Sequence, residues 1–63
     1  MLVKEFEVSK PCDEFEVIEV TTGKVLYSTY AGDCDEWYEV ADKEIKLYQI
    51  SFMRGESRGY LYI

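Results

Sequence analysis

Histidine is absent from the 63 residues, and bases are few, with seven Lys and Arg against thirteen Asp and Glu and a formal charge of −6. Because histidine is the usual general base and the commonest metal ligand, its absence argues against Ser/His/Asp, Cys/His and most zinc sites. The excess of acid opposes the phosphate contacts that hold proteins on nucleic acid. We expect a non-enzymatic protein with no cofactor, no metal and no direct contact with nucleic acid.

Long hydrophobic runs are also missing. Residues 1–8 mix charges into their apolar positions, unlike the continuous apolar centre of a signal peptide, and no segment approaches the length that crosses a membrane. A cytoplasmic protein without membrane contact is therefore expected. A chain of this length predicts one domain, residues 1–63, and its 48% hydrophobic content exceeds that of disordered chains.

Cysteine is scarce, with only Cys12 and Cys34. Two cysteines without CxxC spacing do not make the disulfide framework of small secreted domains. The first predicted hairpin brings Cys12 and Cys34 close together, so a disulfide between them would join the base of that hairpin to the start of the predicted helix. The alternative, which a reducing cytosol favours, is two free, half-buried thiols.

Alternation of side chains predicts most of the fold. Residues 1–9 alternate as a half-buried strand does, and Pro11 ends that segment. Residues 15–21 and 25–30 favour β structure around Gly23 and predict a hairpin. The buried face changes within its first strand, which indicates either a bulge near Val17 and Ile18 or cover on both faces. Residues 44–52 and 59–63 predict a second hairpin around a polar loop.

Between the hairpins the alternation stops, and the spacing of Trp37 and Val40 predicts a short helix with Asp33 as its N-cap. The fold class expected is mostly β (α+β). Two antiparallel hairpins and an N-terminal strand form a curled sheet of four or five strands, all antiparallel, with one short helix. The edges of so small a sheet stay open, which allows a homodimer by strand pairing.

The acid is concentrated in the middle of the chain. Nine acidic residues and the single base Lys24 lie between residues 13 and 42, whereas residues 43–63 carry a small positive excess. Pairing across the first hairpin brings residues near 13 close to the start of the predicted helix. One end of the molecule should therefore be strongly negative. The residues expected to bind a partner there are Asp13, Glu14, Asp33, Asp35, Glu36, Trp37, Tyr38 and Glu39.

Clustered carboxylates can also serve solubility, metal binding or catalysis. A net charge of this size is what keeps a small domain soluble. Calcium binding is disfavoured because Asp33-Cys34-Asp35-Glu36 lacks the Asp-x-Asp-x-Asp-Gly pattern of a calcium loop. A carboxylate pair for acid and base catalysis needs a cleft that so small a domain does not readily offer.

Four local segments follow one another along the chain: Thr21-Thr22-Gly23-Lys24 at the turn, Tyr30-Ala31-Gly32-Asp33-Cys34, Asp42-Lys43-Glu44-Ile45 and a terminal Tyr-Leu-Tyr-Ile. In this order the chain resembles small accessory proteins encoded by bacteriophages and prophages. That resemblance implies an inhibitor of a host defence protein, of the anti-CRISPR kind, acting in the host bacterial cytosol.

Two functions are consistent with these observations. The first is a non-enzymatic inhibitor whose acidic, aromatic surface occupies a basic groove on a host protein that handles nucleic acid, such as a nuclease or a CRISPR effector. The alternative is a self-associating structural or regulatory module, a homodimer held by aromatic strand faces. Salt weakens the first kind of contact much more than the second.

Overall fold

The computed structural model describes residues 1–30 and 36–63. Within them the chain forms two short helices and four strands. In chain order these are α1 (Val3–Ser9), β1 (Glu14–Ile18), β2 (Val25–Ser28), α2 (Trp37–Val40), β3 (Leu47–Met53) and β4 (Glu56–Tyr62).

The four strands form one mixed sheet in the order β2-β1-β4-β3. Both predicted hairpins are present, β1 with β2 and β3 with β4, and each pairs antiparallel. The register of the first hairpin shifts between Val17 and Ile18, which agrees with the first of the two alternatives, a bulge at that point. Gly23 has a φ of 73°, a conformation that glycine tolerates best, at the predicted turn.

The two hairpins meet through β1 and β4, which run parallel from Glu14↔Arg58 to Ile18↔Tyr62. The expectation of an all-antiparallel sheet is therefore wrong at this pairing, although the mostly β class and the two hairpins are confirmed. Local alternation shows which segments are strands, but it does not show which hairpins become neighbours.

One face of the sheet carries the core. The largest fully buried side chains come from both helices and the two central strands: Val3, Phe6, Val17, Val40 and Leu61. The Phe6 ring of α1 lies edge-on to Phe15 at 5.6 Å and to Tyr48 at 5.5 Å between ring centroids. The helices therefore cover this face, and the opposite face has neither α1 nor α2 packed on it.

The predicted N-terminal strand is wrong, because Val3–Ser9 is a helix. Its two buried residues, Val3 and Phe6, are three apart, while Val8 is 79% exposed. The Glu5 carboxylate accepts a hydrogen bond from the Leu2 amide at 2.7 Å, which satisfies a donor near the helix start. Lys10 ends the helix in a left-handed conformation with φ of 46°, directly before Pro11.

The other predicted elements differ mainly in their bounds. The predicted polar loop of the second hairpin shrinks to Arg54 and Gly55, both with positive φ, so that β4 begins at Glu56. The helix between the hairpins begins at Trp37, and Glu36 precedes it. Asp33, its predicted N-cap, lies outside the described residues. Neither helix is long and apolar enough to cross a membrane.

Candidate functional site

The single turn of α2 is held in place by one large side chain. Trp37 packs against Tyr27, with ring centroids 5.0 Å apart, and edge-on to Phe15 at 6.5 Å. Val40, three residues on, is 1% exposed. A helix of four residues has little stability of its own, so this packing fixes it to the sheet. Trp37 is thus a half-buried residue that packs against the core, and its predicted role as a partner anchor stays a prediction.

Backbone hydrogen bonds join α2 to the start of α1. The first amides of a helix and its last carbonyls have no partners inside the helix. Here the Val3 amide donates to the Lys43 carbonyl and the Lys4 amide donates to the Ala41 carbonyl, each at 3.0 Å. Lys4 also forms an ion pair with Asp42 at 2.7 Å. The two helix ends therefore satisfy each other and fix the direction of α2.

The fixed turn presents an aromatic side chain to solvent. Tyr38 is 90% exposed, the highest value among the large hydrophobic residues described, and its neighbour Glu39 is exposed as well. Glu36 is half-buried at the start of the helix. We call Glu36, Tyr38 and Glu39 the α2 surface. It keeps three of the predicted partner-binding residues together.

Asp13 has a structural role. Its carboxylate accepts hydrogen bonds from the backbone amide of Ser57 at 2.8 Å and from the Ser57 hydroxyl at 3.1 Å. Its own amide donates to the Ser57 hydroxyl at 2.8 Å. The hydrogen bond from the Ser57 backbone amide is the main reason that the pKa of Asp13 lies below its ordinary value. Asp13 thus joins the start of β1 to β4.

Glu14 and Glu16 lie on the sheet face that carries no helix. Glu14 accepts a hydrogen bond from the Thr29 hydroxyl, and Glu16 accepts one from the Tyr30 hydroxyl at 2.8 Å. Arg58 stacks over the Tyr30 ring, 4.1 Å from its centroid. Both carboxylates are therefore engaged in cross-strand contacts, and Glu14 is separated from the α2 surface.

A groove of about 880 Å³ runs beside the α2 surface and carries both signs of charge. Glu36 and Glu39 line it. Three lysines line it as well: Lys24, Lys43 and Lys46. With Glu19 and Glu44, four glutamates and three lysines line the groove, so carboxylates are interspersed with bases there. The predicted negative end includes Asp33 and Asp35, which lie outside the described residues, and it stays a prediction.

Asp33, Asp35 and Cys34 lie outside the described residues, so the structure does not test the predicted contacts of the two acids. Cys12 carries a free thiol that donates to the Glu14 carbonyl at 3.2 Å. Burial raises the pKa of this thiol above its ordinary value. No group of three possible metal ligands occurs within residues 1–30 and 36–63.

Sequence reasoning missed two features of the surface. Ser57, the partner of Asp13, is 44 residues away in the chain, and nothing local marks the pair. The second feature is β3, which lies at the edge of the sheet with six of its seven residues exposed. Its apolar residues resemble those of a buried strand, so no local pattern indicates its exposure.

Comparison of the chain with models of protein families, with curated protein sequences and with solved structures finds no match. We therefore infer function from the chemistry and position of the surface residues.

Proposed function

We propose that the protein is a non-enzymatic inhibitor that binds a basic groove on another protein through the α2 surface. The observation that carries the proposal is the 90% exposure of Tyr38 on a turn that Trp37 fixes to the core. An exposed aromatic residue on an anchored backbone turn needs little backbone ordering on binding, and tyrosine is enriched where interfaces gain most of their energy.

The flanking charges point to the chemistry of the partner. Glu36 and Glu39 lie within two residues of Tyr38 in the chain, and Asp33 and Asp35 precede them. Carboxylates around an aromatic anchor complement a groove lined by arginine and lysine and speed its encounter with the inhibitor. Proteins that handle nucleic acid carry such grooves. We place the target among host defence proteins of this kind in the bacterial cytosol, as the resemblance to phage-encoded proteins implies.

Asp13 and Trp37 are not part of the proposed contact, because each is engaged in the fold. Substituting either one would disturb β1, β4 or the core, and a loss of binding would then have two causes. The α2 surface can be changed with less risk, since Tyr38 and Glu39 are exposed and Glu36 is half-buried.

The test is affinity capture from a lysate of the bacterial host, followed by measurement of the dissociation constant for each captured protein. We compare the wild type with Glu36→Lys/Glu39→Lys. Reversing both charges should weaken binding by at least about tenfold at low salt, and raising the salt should reduce that difference because the charges are screened.

The matched control is Glu7→Lys/Glu56→Lys, which makes the same change in net charge at two exposed positions on α1 and β4. It should bind within about threefold of the wild type. Equal weakening by both double variants would mean that total charge, and not the α2 surface, governs capture. An unchanged affinity of Glu36→Lys/Glu39→Lys would overturn the proposal.

A further inference from the structure

The edge strand β3 has β4 on one side only. On its other side, the pairing of the chain start with Glu44 and Ile45 ends before Leu47, and no other described strand lies there. Four of its large apolar side chains remain open to solvent: Leu47 at 59%, Tyr48 at 48%, Phe52 at 79% and Met53 at 60%. Tyr48 and Phe52 share one face, and Leu47 and Met53 share the other; exposed large apolar side chains concentrated on one strand mark a place where another surface can bind.

This edge lacks the devices that usually prevent strand pairing. Exposed edges commonly carry lysine, proline or a bulge. Residues 47–53 contain no charged residue and no proline, and their pairing with β4 runs without a shift from Leu47↔Tyr62 to Met53↔Glu56. Since the hydrogen bonds of antiparallel strands alternate, every second residue of β3 directs its amide and carbonyl away from β4. The edge is therefore regular in its pairing, uncharged and open.

The sequence of β3 reads the same in both directions by chemical class. Around Ile50 it has polar Gln49 and Ser51, then aromatic Tyr48 and Phe52, then aliphatic Leu47 and Met53. An antiparallel pair of identical strands places each residue opposite its mirror position. Every residue of β3 would then face a residue of its own class.

We propose that β3 pairs antiparallel with β3 of a second copy of this chain, about a two-fold axis at Ile50. The pairing joins two four-stranded sheets into one continuous sheet. On the helix side, Tyr48 of each copy covers Phe52 of the other beside the central pair of Ile50 residues. On the other side, Leu47 meets Met53 and Gln49 meets Ser51. Cross-strand pairs of like kind stabilise such a sheet.

Other symmetric registers match less well. An axis at Gln49 would place Leu47 opposite Ser51 and charged Lys46 opposite Phe52. Arg54, which follows β3, has a φ of 52° in the turn and so leaves the ladder before it meets Lys46 of the other copy. The match at Ile50 is also the reason for favouring a second copy over an unrelated peptide, which would need no mirrored sequence.

The interface is separate from the α2 surface, so each proposal can fail without the other. Each copy carries a charge of −6, while β3 itself is uncharged. Screening that mutual repulsion should strengthen the dimer, so salt acts here in the opposite direction from its effect on the proposed inhibitor contact.

Sedimentation equilibrium of the 7.4 kDa chain from about 1 μM to about 1 mM tests the dimer. The wild type should approach twice the monomer mass, and more completely at high salt. Phe52→Lys should raise the dimer dissociation constant by at least about tenfold. Val8→Lys is the control, because Val8 is also 79% exposed but lies on α1, and it should behave as the wild type.

Cross-linking tests the register. Ile50→Cys should form a disulfide between copies under mild oxidation, because directly opposed residues lie within bonding range, whereas Gln49→Cys should not. Peptide mapping distinguishes this bond from any at Cys12 or Cys34. A wild type that stays monomeric over the whole range, or equal dimerisation of Phe52→Lys and Val8→Lys, would overturn the proposal. Equal cross-linking of the two cysteine variants would overturn the register.

Discussion

Asp13 connects the start of β1 to a residue near the other end of the chain. Its carboxylate accepts two hydrogen bonds from Ser57, a residue only 8% exposed. A buried amide and hydroxyl without an acceptor are costly, so the carboxylate replaces the water that Ser57 has lost. The charge of Asp13 is visible in the sequence, but its use depends on this distant partner.

The lowered pKa of Asp13 makes this contact depend on pH. Because the pKa is lower in the folded state than in the unfolded chain, the carboxylate stabilises the fold above about pH 4. That contribution is lost as the pH falls through the folded pKa. Asp13→Ala should therefore unfold at lower urea than the wild type at pH 7, and the difference should shrink in acid. Glu7→Ala removes an exposed carboxylate and should show no such convergence. A constant difference between wild type and Asp13→Ala at all pH values would contradict this role.

Gly59 lies where the core leaves no room for a side chain. A Cβ atom at this position would lie 2.9 Å from the Cys12 sulfur and 3.3 Å from the edge of the Phe6 ring. Gly59→Ala should therefore destabilise the protein by about 1–3 kcal/mol, measured by urea unfolding. Adding Cys12→Ala removes the closer contact and should recover part of the loss, relative to Cys12→Ala alone. If Gly59→Ala were as stable as the wild type, the side chains around residue 59 would make room for the added methyl group at no cost, which would contradict this prediction.

Sequence patterns correctly predict those helices and strands whose structure depends on residues close together in the chain. Gly23 and the flanking β-branched residues predict the first hairpin, because turn and strands are adjacent in the chain. The same holds for α2, whose Trp37 and Val40 have helical spacing. These elements could be predicted from the sequence, and the binding role of the α2 surface stays a prediction.

The N-terminal segment shows the limit of that reasoning. Residues 1–9 alternate well enough for a strand, but Glu5 bonds back to the Leu2 amide and Val3 and Phe6 reach the core from one helical face. Whether residues 1–9 form a strand or a helix depends on the sheet against which Phe6 packs. That sheet depends in turn on the parallel pairing of β1 with β4, a contact between residues about 44 apart. No local pattern specifies it.

For the whole molecule, the two proposed surfaces lie on different elements. The α2 surface is charged and rigidly held, whereas the β3 edge is uncharged and apolar. If β3 pairs as proposed, the two-fold axis gives each assembly two α2 surfaces. A target with two basic sites could then bind both, with an apparent affinity above that of a single contact.

Within α2, we assign Trp37 to the stability of the fold and Tyr38 to contact with the partner. The most direct measurement combines the urea unfolding midpoint with the affinity for the captured host protein, for Tyr38→Ala and Trp37→Ala. Trp37→Ala should lose at least about 2 kcal/mol of stability, because the half-buried indole packs on the rings of Tyr27 and Phe15. Tyr38→Ala should unfold within about 0.5 kcal/mol of the wild type and yet bind at least about tenfold more weakly. Tyr38→Ala that binds the captured protein as tightly as the wild type would contradict the account.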